Sequence, residues 1–274
     1  MTKNSKKKLN DINIYPIKVD EEDKKIELDL LDTKNIPITV PFLGVIIGRV
    51  KAGKSTLLSN ITLSDRFMGD LFDIKIIISP SILNDVSSKP IKDEYDFVFT
   101  EYSDDLLDYI IDMINQDDTD NRYLLVLDDI VGSVKFTRGK VDKLSALMTR
   151  FRHISNADGK TGRLSIILTT QYYKYINSII RTNCSWYAIC GNFPSAELKK
   201  ISEELDLFGG SPEKFLELYK ESKNKSKYDL MFCSIQYMSV YRSFKDILWN
   251  EDNNTLSKSI DNTKSIIEEE EDPN

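Results

Sequence analysis

The stretch "GVIIGRVKAGKSTLLSN", residues 44–60, decides the fold, because an apolar run changes abruptly into glycine, lysine and hydroxyl residues. Residues 48–55 satisfy the pattern G-x-x-x-x-G-K-[ST], and they lie between a predicted buried strand and a predicted helix. A glycine-rich turn ahead of a helix presents backbone N–H groups and the positive end of the helix dipole to an anion. The stretch therefore predicts a phosphate-binding cradle.

Individual residues of the cradle have distinct predicted roles. Gly48 allows the tight turn, and Gly53 allows backbone N–H groups to approach phosphate oxygens. Lys54 is predicted to reach the β- and γ-phosphates of a bound nucleotide, and Ser55 is predicted to ligate Mg²⁺. The other cradle positions assigned to nucleotide binding are Lys51, Ala52 and Thr56.

Composition limits the classes of protein that fit. With 274 residues, 41% of them hydrophobic, the chain can bury one full core. Its net charge of -7 argues against a protein that coats nucleic acid by bulk electrostatics, although a local basic surface stays compatible. The apolar runs are too short to span a membrane, and the N-terminus lacks a signal peptide, so we expect a soluble intracellular protein without membrane insertion. Three cysteines at no metal-binding spacing are expected to be reduced core residues, with a disulfide pair as the alternative.

Predicted strands and helices alternate along the chain. The predicted strands are 42–48, 74–80, 96–100, 122–129, 164–171 and 186–191, and the predicted helices are 54–63, 103–116, 140–153 and 195–208. Most of the strands are nearly continuous apolar runs, which is typical of strands covered on both faces. The alternation predicts an α/β fold of the P-loop NTPase class: a mostly parallel sheet with helices on both faces, and a C-terminal antiparallel hairpin within 227–244.

The two ends of the chain set the predicted domain boundaries. The first ten residues hold four lysines, whereas "EEEED", close to the C-terminus, holds five consecutive carboxylates. Such runs are typical of solvated, disordered tails. We therefore predict a partly disordered N-terminal extension over 1–34, a P-loop ATPase domain over 35–248 and an acidic disordered tail over 249–274.

A second acidic motif narrows the class of enzyme. The run "YLLVLDDI", residues 123–130, places Asp128 and Asp129 at the end of an apolar strand. There Asp128 can hold Mg²⁺, and Asp129 can orient or deprotonate the attacking water. Along the chain, the predicted strands 74–80 and 96–100 intervene between the cradle and this motif. That order favours the additional-strand class of P-loop ATPases, in which one strand is inserted between these two, over GTPases.

Polar residues after the next apolar strand complete the predicted site. The strand 164–171 ends in Thr169, Thr170 and Gln171. We expect Gln171 at the same sheet edge as Asp128, where it can sense the γ-phosphate or position water. An arginine near this edge would stabilise charge that develops on the γ-phosphoryl group. The candidate arginines are Arg138, Arg150, Arg152, Arg163 and Arg181.

Three runs, "GRVKAGKST", "LLVLDD" and "RFRHIS....LSIILTTQYYKYINSIIRTN", together resemble the genome-packaging ATPases of large eukaryotic DNA viruses and their smaller relatives. These form the poxvirus-type branch of the FtsK/HerA superfamily, and the resemblance covers about residues 35–205. It implies that Asp128 and Asp129 have metal and water roles and that Gln171 is the sensor. It also implies that Arg152 or Arg181 acts on the ATP of a neighbouring subunit. The residues to which it assigns phosphate binding are Gly53, Lys54, Ser55 and Thr56.

The sequence departs from the commonest pattern of that family at two places. The cradle contains Val50, Lys51 and Ala52 where a more glycine- and serine-rich loop is usual, and the second acid is Asp129 where Glu is usual. An aspartate is one methylene shorter, so the attacking water must lie closer to it or be reached differently.

The resemblance implies a homo-oligomeric ring, a pentamer or hexamer, that uses ATP to translocate double-stranded viral DNA into a preformed capsid. Capsid or portal-vertex proteins are the further partners that it implies, and the host cytoplasm, the viral factory or the virion is the implied location. The segment "KFTRGKVDK", residues 135–143, is a candidate DNA-facing loop of the pore. The residues alone leave two alternatives open, a P-loop phosphotransferase such as a nucleoside kinase and a nucleotide-regulated scaffold.

Overall fold

The structure, a computed structural model, describes residues 28–130, 142–154, 162–205, 207–208, 211–226 and 228–251. The strands in this part of the chain are β1 (Leu28–Asp29), β2 (Thr39–Val40), β3 (Leu43–Gly48), β4 (Ile74–Ile78), β5 (Phe97–Phe99), β6 (Tyr123–Asp128), β7 (Leu164–Thr170), β8 (Trp186–Cys190), β9 (Leu230–Ser234), β10 (Ser239–Arg242) and β11 (Asp246–Asn250). The helices are α1 (Leu30–Lys34), α2 (Lys54–Leu63), α3 (Lys89–Glu94), α4 (Asp104–Gln116), α5 (Lys143–Arg150), α6 (Ser178–Thr182), α7 (Ser195–Leu205) and α8 (Pro212–Ser222).

A single large sheet organises the described residues. Its nine strands lie in the order β11-β10-β9-β8-β3-β7-β6-β4-β5. The six strands from β8 to β5 are parallel, whereas β9, β10 and β11 continue the sheet in antiparallel pairing. The predicted α/β class, with its mostly parallel sheet and C-terminal antiparallel strands, is confirmed.

Both faces of the sheet are covered, which explains why its strands read as continuous apolar runs. Along β3, Val45 and Ile47 face a core shared with buried residues of α4, α5, α7 and α8. The intervening Ile46 faces a second core with buried residues of α1, α2 and α3. Successive side chains of a strand point to opposite faces, so every position of β3 is buried.

The spatial order of the strands corrects one sequence-based interpretation. The strands at 74–80 and 96–100 do not lie between the cradle strand and the acidic strand, because β4 and β5 are at the far side of β6. The inserted strand is β7, which pairs with β3 on one side and β6 on the other. The additional-strand architecture is therefore present, but the strand that creates it follows the acidic motif in the sequence.

Most element ends lie within two residues of the predicted ones. Helix α2 matches its predicted bounds, and the predicted helix 140–153 is observed as α5 followed by a short 3₁₀ helix at Phe151–His153. The elements that sequence reasoning missed are α1, α3, α6, α8, β1, β2 and β11. For α8 a signal existed, since Ser211 caps the helix through a hydrogen bond from the Lys214 N–H and Pro212 occupies the first turn.

The N-terminal boundary predicted at residue 35 stays a prediction, but the described residues ahead of it join the core. Strand β1 pairs with β2, and Leu30 and Ile38 are fully buried. The three cysteines are free thiols and buried, as expected. No helix of the described residues has the length and apolar character needed to cross a membrane.

Candidate active site

The loop between β3 and α2 forms the predicted cradle. Gly53 has a φ of 92° and directly precedes α2, and Lys51 has a φ of 63°, so both lie in the left-handed region. Gly48 ends β3, where an added Cβ would lie 3.0 Å from both Cys190 Cβ and Lys54 Cγ. The loop is thus bent tightly over the end of the sheet, with the first N–H groups of α2 available to a phosphate.

Sequence-predicted residues at the ends of three separate strands line one cavity of about 390 Å³. The cavity lies where the parallel strands have their carboxyl ends, which we call the carboxyl edge of the sheet; the opposite side is the amino edge. The predicted residues that line it are Lys51, Ala52, Gly53, Lys54, Ser55, Thr56, Asp128, Asp129 and Gln171. Its lining also includes Arg49 and Val50 of the motif loop, and four residues that the sequence did not indicate: Ser81, Asp85, Ser87 and Tyr228. The cavity therefore brings the cradle and the acidic motif together, as predicted.

Asp128 is held in place by two hydroxyl groups from neighbouring strands. It is buried at the end of β6, and its carboxylate accepts hydrogen bonds from Ser79 Oγ at 2.7 Å and from Thr169 Oγ1. Thr169 lies directly opposite Asp128 in the pairing of β6 with β7. The inserted strand thus fixes the carboxylate that was predicted to hold the metal.

Asp129 is fixed differently. Its φ of 51° lies in the left-handed region, and its backbone N–H donates to Thr169 Oγ1 at 3.2 Å. Gln171 Nε2 donates to Asp129 Oδ2 at 2.9 Å. A non-glycine residue in this conformation is uncommon and often marks a functional position. The predicted water-activating acid and the predicted sensor are therefore direct partners.

The Ser55 hydroxyl donates a hydrogen bond to a residue that lies outside both sequence motifs. Ser55 Oγ lies 3.0 Å from Asp85 Oδ2, in the segment that follows β4. Hydrogen bonds from Ser87, Ser88 and Ser55 hold the pKa of the Asp85 carboxyl below its usual range, although burial acts in the opposite direction. Sequence reasoning missed Asp85, and its only sequence signal was the Asp-x-Ser turn pattern.

The donor set fits a Mg²⁺ ion bound together with a nucleotide. Mg²⁺ is usually held by one or two protein oxygen ligands, with phosphate oxygens and waters completing the shell. Ser55 and Asp128 line the same cavity as the cradle and offer those ligands. Among the described residues, no group of three or more His, Cys, Asp and Glu side chains forms a metal site on its own.

With this geometry in view, comparison with known proteins identifies the family. Residues 34–268 match the family described as Poxvirus A32 protein. The chain belongs to the Poxvirus A32 protein family. No curated protein sequence gave a significant match.

Solved structures similar to this A32 family member share its fold. The genome packaging NTPase B204 from Sulfolobus turreted icosahedral virus 2, in complex with AMP, is 17% identical with a TM-score of 0.54, and the alignment covers 73% of this chain and 96% of that chain. The DNA-packaging ATPase B204 from Sulfolobus Turreted Icosahedral Virus is 15% identical with a TM-score of 0.53, and the alignment covers 74% and 97% of the two chains.

A second, more apolar cavity of about 490 Å³ adjoins the cradle of this A32 family member. Ala52, Gly53, Thr56 and Tyr228 line both cavities. The residues that line only the second cavity are Leu57, Asn60, Ile61, Phe67, Cys190, Leu230, Ser243 and Phe244. Sequence reasoning did not predict these residues, because they come from α2 and the turn after it, from β8, and from β9 and the turn after β10, and they meet only in the folded chain.

The two arginines that the family resemblance assigned to catalysis do not line the cradle cavity. Arg152 lies at the amino end of β8, where its Nη2 donates to Ser185 Oγ at 3.3 Å, and it lines a separate polar cavity of about 350 Å³. Arg181 is engaged within the chain: its Nε lies 2.5 Å from Glu204 Oε2, and its guanidinium lies 5.1 Å from the Tyr173 ring centroid. Neither arginine therefore completes the site of its own subunit in this arrangement.

The other candidate arginines are placed as follows. Arg163 is buried and forms an ion pair with Asp117, which gives it a structural role. Arg150 is the last residue of α5 and is exposed. Arg138, together with most of the candidate pore loop at 135–143, lies outside the described residues.

Proposed function

We propose that this protein is an ATP-hydrolysing motor that translocates double-stranded viral DNA into a preformed capsid. The observation that carries the proposal is the single cavity in which the cradle, the two acids and Gln171 meet at one sheet edge. Membership of the A32 family supports the same activity. A solved structure with this fold is described as a genome packaging NTPase, which adds support for the assignment.

Each residue of the cavity has a definable part in hydrolysis. The cradle N–H groups and Lys54 bind the β- and γ-phosphates. Asp129 accepts a proton from the attacking water, and the hydrogen bond from Gln171 holds the Asp129 carboxylate in place. Ser55 and Asp128 would hold Mg²⁺, which would neutralise charge on the phosphate oxygens when bound. In the chemical step the water oxygen forms a bond to the γ-phosphorus, the bond from the γ-phosphorus to the bridging oxygen breaks, and ADP and inorganic phosphate are released. Asp129 takes the water proton in this step, and Lys54 stabilises the charge on the γ-phosphoryl group.

The adjoining apolar cavity is suited to the nucleoside half of ATP. It opens beside Thr56 on the first turn of α2, and its walls include the rings of Phe67 and Phe244. Nucleotide-binding sites are commonly apolar with a few convergent polar groups, and aromatic rings suit a flat base. We assign the adenosine moiety to this cavity and the triphosphate to the cradle.

The proposal includes a ring in which a neighbouring subunit completes each site. Arg152 is the stronger candidate for the trans-acting residue, because among the described residues its guanidinium donates to the neutral Ser185 hydroxyl at 3.3 Å and lines an open polar cavity. Arg181 is already neutralised by Glu204. Head-to-tail contacts that close generate a ring, a pentamer or hexamer by family analogy. Capsid or portal-vertex proteins, and a site of action in the host cytoplasm, the viral factory or the virion, belong to the same proposal.

Subunit mixing tests the ring. Arg152→Ala subunits should be inactive alone, and they should regain hydrolysis at their own intact sites when Lys54→Ala subunits donate Arg152 across the interface. The same mixture with Arg181→Ala is the matched comparison. If neither arginine variant is rescued, or if a dilute monomer hydrolyses ATP at the full rate, the ring mechanism is wrong.

Phosphate release tests the motor function itself. Double-stranded DNA should stimulate ATP hydrolysis by the purified protein in the absence of any small-molecule acceptor. A nucleoside kinase would need its acceptor for turnover, and a nucleotide-regulated scaffold would bind ATP without DNA-stimulated release. Either of those results would replace the packaging motor with the corresponding class.

A further inference from the structure

The hydroxyl of Ser55 is committed to Asp85 and not to the acid of the motif. Ser55 Oγ donates to Asp85 Oδ2 at 3.0 Å. The acid predicted to hold the metal, Asp128, accepts its hydrogen bonds from Ser79 and Thr169. The two protein groups predicted to face the metal therefore have separate partners: a carboxylate, Asp85, accepts from Ser55, and two hydroxyl groups donate to Asp128.

Asp85 is held rigidly where it meets Ser55. Its Oδ1 accepts hydrogen bonds from the Ser87 N–H at 3.0 Å and from Ser87 Oγ at 2.6 Å, and its Oδ2 accepts one from Ser88 Oγ at 2.9 Å. The residue is half-buried and caps a short 3₁₀ helix beyond β4, at the same sheet edge as the cradle. A carboxylate with this many donors keeps one orientation, so it can orient the group that it binds.

The direction of the Ser55 hydrogen bond matters for metal binding. A hydroxyl group has one proton and two lone pairs. When the proton is donated to a carboxylate, both lone pairs stay available, and the bond fixes the direction in which they point. Partners that orient a metal ligand in this way strongly influence metal affinity.

We propose that Asp85 is a positioning residue for Mg²⁺-ATP, which accepts the Ser55 proton and so directs the Ser55 oxygen towards the metal. The inference rests on the proposed nucleotide site and adds to it a residue outside both sequence motifs. Asp85 acts through Ser55, so the segment after β4 becomes part of the proposed nucleotide site.

The test measures the Mg²⁺ requirement for nucleotide binding. A fluorescent ATP analogue is bound to full-length protein while Mg²⁺ is titrated, and the affinity in EDTA is measured separately. In Asp85→Asn the half-saturating Mg²⁺ concentration should rise about tenfold, because loss of a residue that orients a metal ligand typically weakens metal binding 10- to 100-fold. The affinity in EDTA should stay unchanged, since the cradle itself is intact.

Two further variants keep the test decisive. Asp73→Asn is the matched control, because Asp73 is exposed and accepts a hydrogen bond from the Arg122 N–H at the opposite edge of the sheet. Asp85→Ser should preserve the helix cap, since serine caps well, but it removes the carboxylate that reaches Ser55. It should reproduce the Asp85→Asn result even if that variant is poorly folded, and in a Ser55→Ala background Asp85→Asn should add no further effect.

Three results would overturn the inference. They are an unchanged Mg²⁺ requirement, a lowered requirement, which would mean that Asp85 competes with the metal for Ser55, and an equal loss of affinity with and without Mg²⁺. The proposed function fails separately, if the unmodified protein shows no Mg²⁺-dependent ATP binding or no DNA-stimulated hydrolysis.

Discussion

Charged and polar side chains gather at both ends of the parallel strands, but they serve different purposes at the amino edge and at the carboxyl edge of the sheet. At the amino edge, Arg163 precedes β7 and donates to Asp117 Oδ2 at 2.6 Å, to the Asp117 carbonyl and to the Asn121 carbonyl. Tyr123, the first residue of β6, also donates to Asp117 at 2.6 Å. At the carboxyl edge, lysine, aspartate and glutamine side chains line an open cavity.

The difference teaches how the fold separates stability from activity. A buried arginine with several protein acceptors contributes to the folded state, and its removal leaves an uncompensated carboxylate. Groups that line an open cavity keep their capacity for a ligand. Substitutions within the network of Arg163, Asp117 and Tyr123 should therefore reduce stability, whereas substitutions at the carboxyl edge should reduce activity.

The largest expected effect is at the cradle. Lys54→Ala should lower ATP hydrolysis by about 10²–10³-fold or more, because a preorganised positive charge at the γ-phosphate is lost. The melting temperature should not change, since Lys54 lines the cavity and not the core. Phosphate release and thermal unfolding measure the two quantities, with Lys92→Ala on α3 as an exposed lysine control. Hydrolysis at the normal rate by the folded variant would contradict the cradle assignment.

The next largest effects are expected at the two adjacent acids, and they should differ between Asp128 and Asp129. Asp129→Asn should leave ATP bound and lower the hydrolysis rate about 10²-fold, because the proton acceptor is lost. Asp128→Asn should instead raise the Mg²⁺ concentration needed for ATP binding. Binding titrations and single-turnover hydrolysis distinguish the variants. Identical binding behaviour of the two would show that their roles are not divided.

At the amino edge, Arg163→Met should lower the free energy of unfolding by about 3 kcal/mol, because the Asp117 carboxylate, whose side chain is only 15% exposed, would keep its charge without its partner. Urea denaturation measures the loss. ATP binding by the folded fraction should match the unmodified protein. A variant that unfolds normally but fails to bind ATP would reverse the proposed difference between the edges.

The same network predicts a pH dependence. Burial alone would raise the pKa of the Asp117 carboxyl, but hydrogen bonds from Tyr123 and Thr119 and the Arg163 charge hold it well below its usual range. A depressed folded-state pKa gives stability that is present above the unfolded-state pKa of about 3.9 and is lost as the pH falls through the folded-state pKa. Asp117→Asn should therefore be less stable than the unmodified protein at pH 7, and the difference should shrink at strongly acidic pH. Urea denaturation measures the free energy of unfolding of both proteins. A difference between them that stays constant from pH 7 to strongly acidic pH would argue against the network.

The smallest effect is expected from the acidic tail. Removal of residues 255–274 should leave the melting temperature and basal ATP hydrolysis unchanged, because five consecutive carboxylates cannot enter a core. Differential scanning fluorimetry and phosphate release check both. A large fall in melting temperature would mean that the tail docks on the domain.

Much of the sheet could be predicted because its strands are buried on both faces and carry a distinct apolar pattern. The pairing of Asp129 with Gln171 also follows the expectation that strand ends share one edge. The identity of the inserted strand could not be predicted, since chain order does not give spatial order. Asp85 and Tyr228 were missed because they reach the cavity from segments without a motif. In the chain they lie far from one another, and only the fold brings both to the cradle.

The close packing of the Trp186 indole on Gly44 makes tryptophan fluorescence informative about the strand that leads into the cradle. An added Cβ at this position would lie 2.0 Å from the Trp186 ring, so the indole lies directly on the backbone of the strand that leads into the cradle. Trp186 is fully buried, and the sequence contains one other tryptophan, Trp249 on the edge strand β11. A Trp249→Phe protein would fluoresce from a single indole that packs on β3 near its amino end, opposite the end that leads into the cradle. The protein thus carries its own optical reporter of the strand that leads into the cradle, without an attached dye.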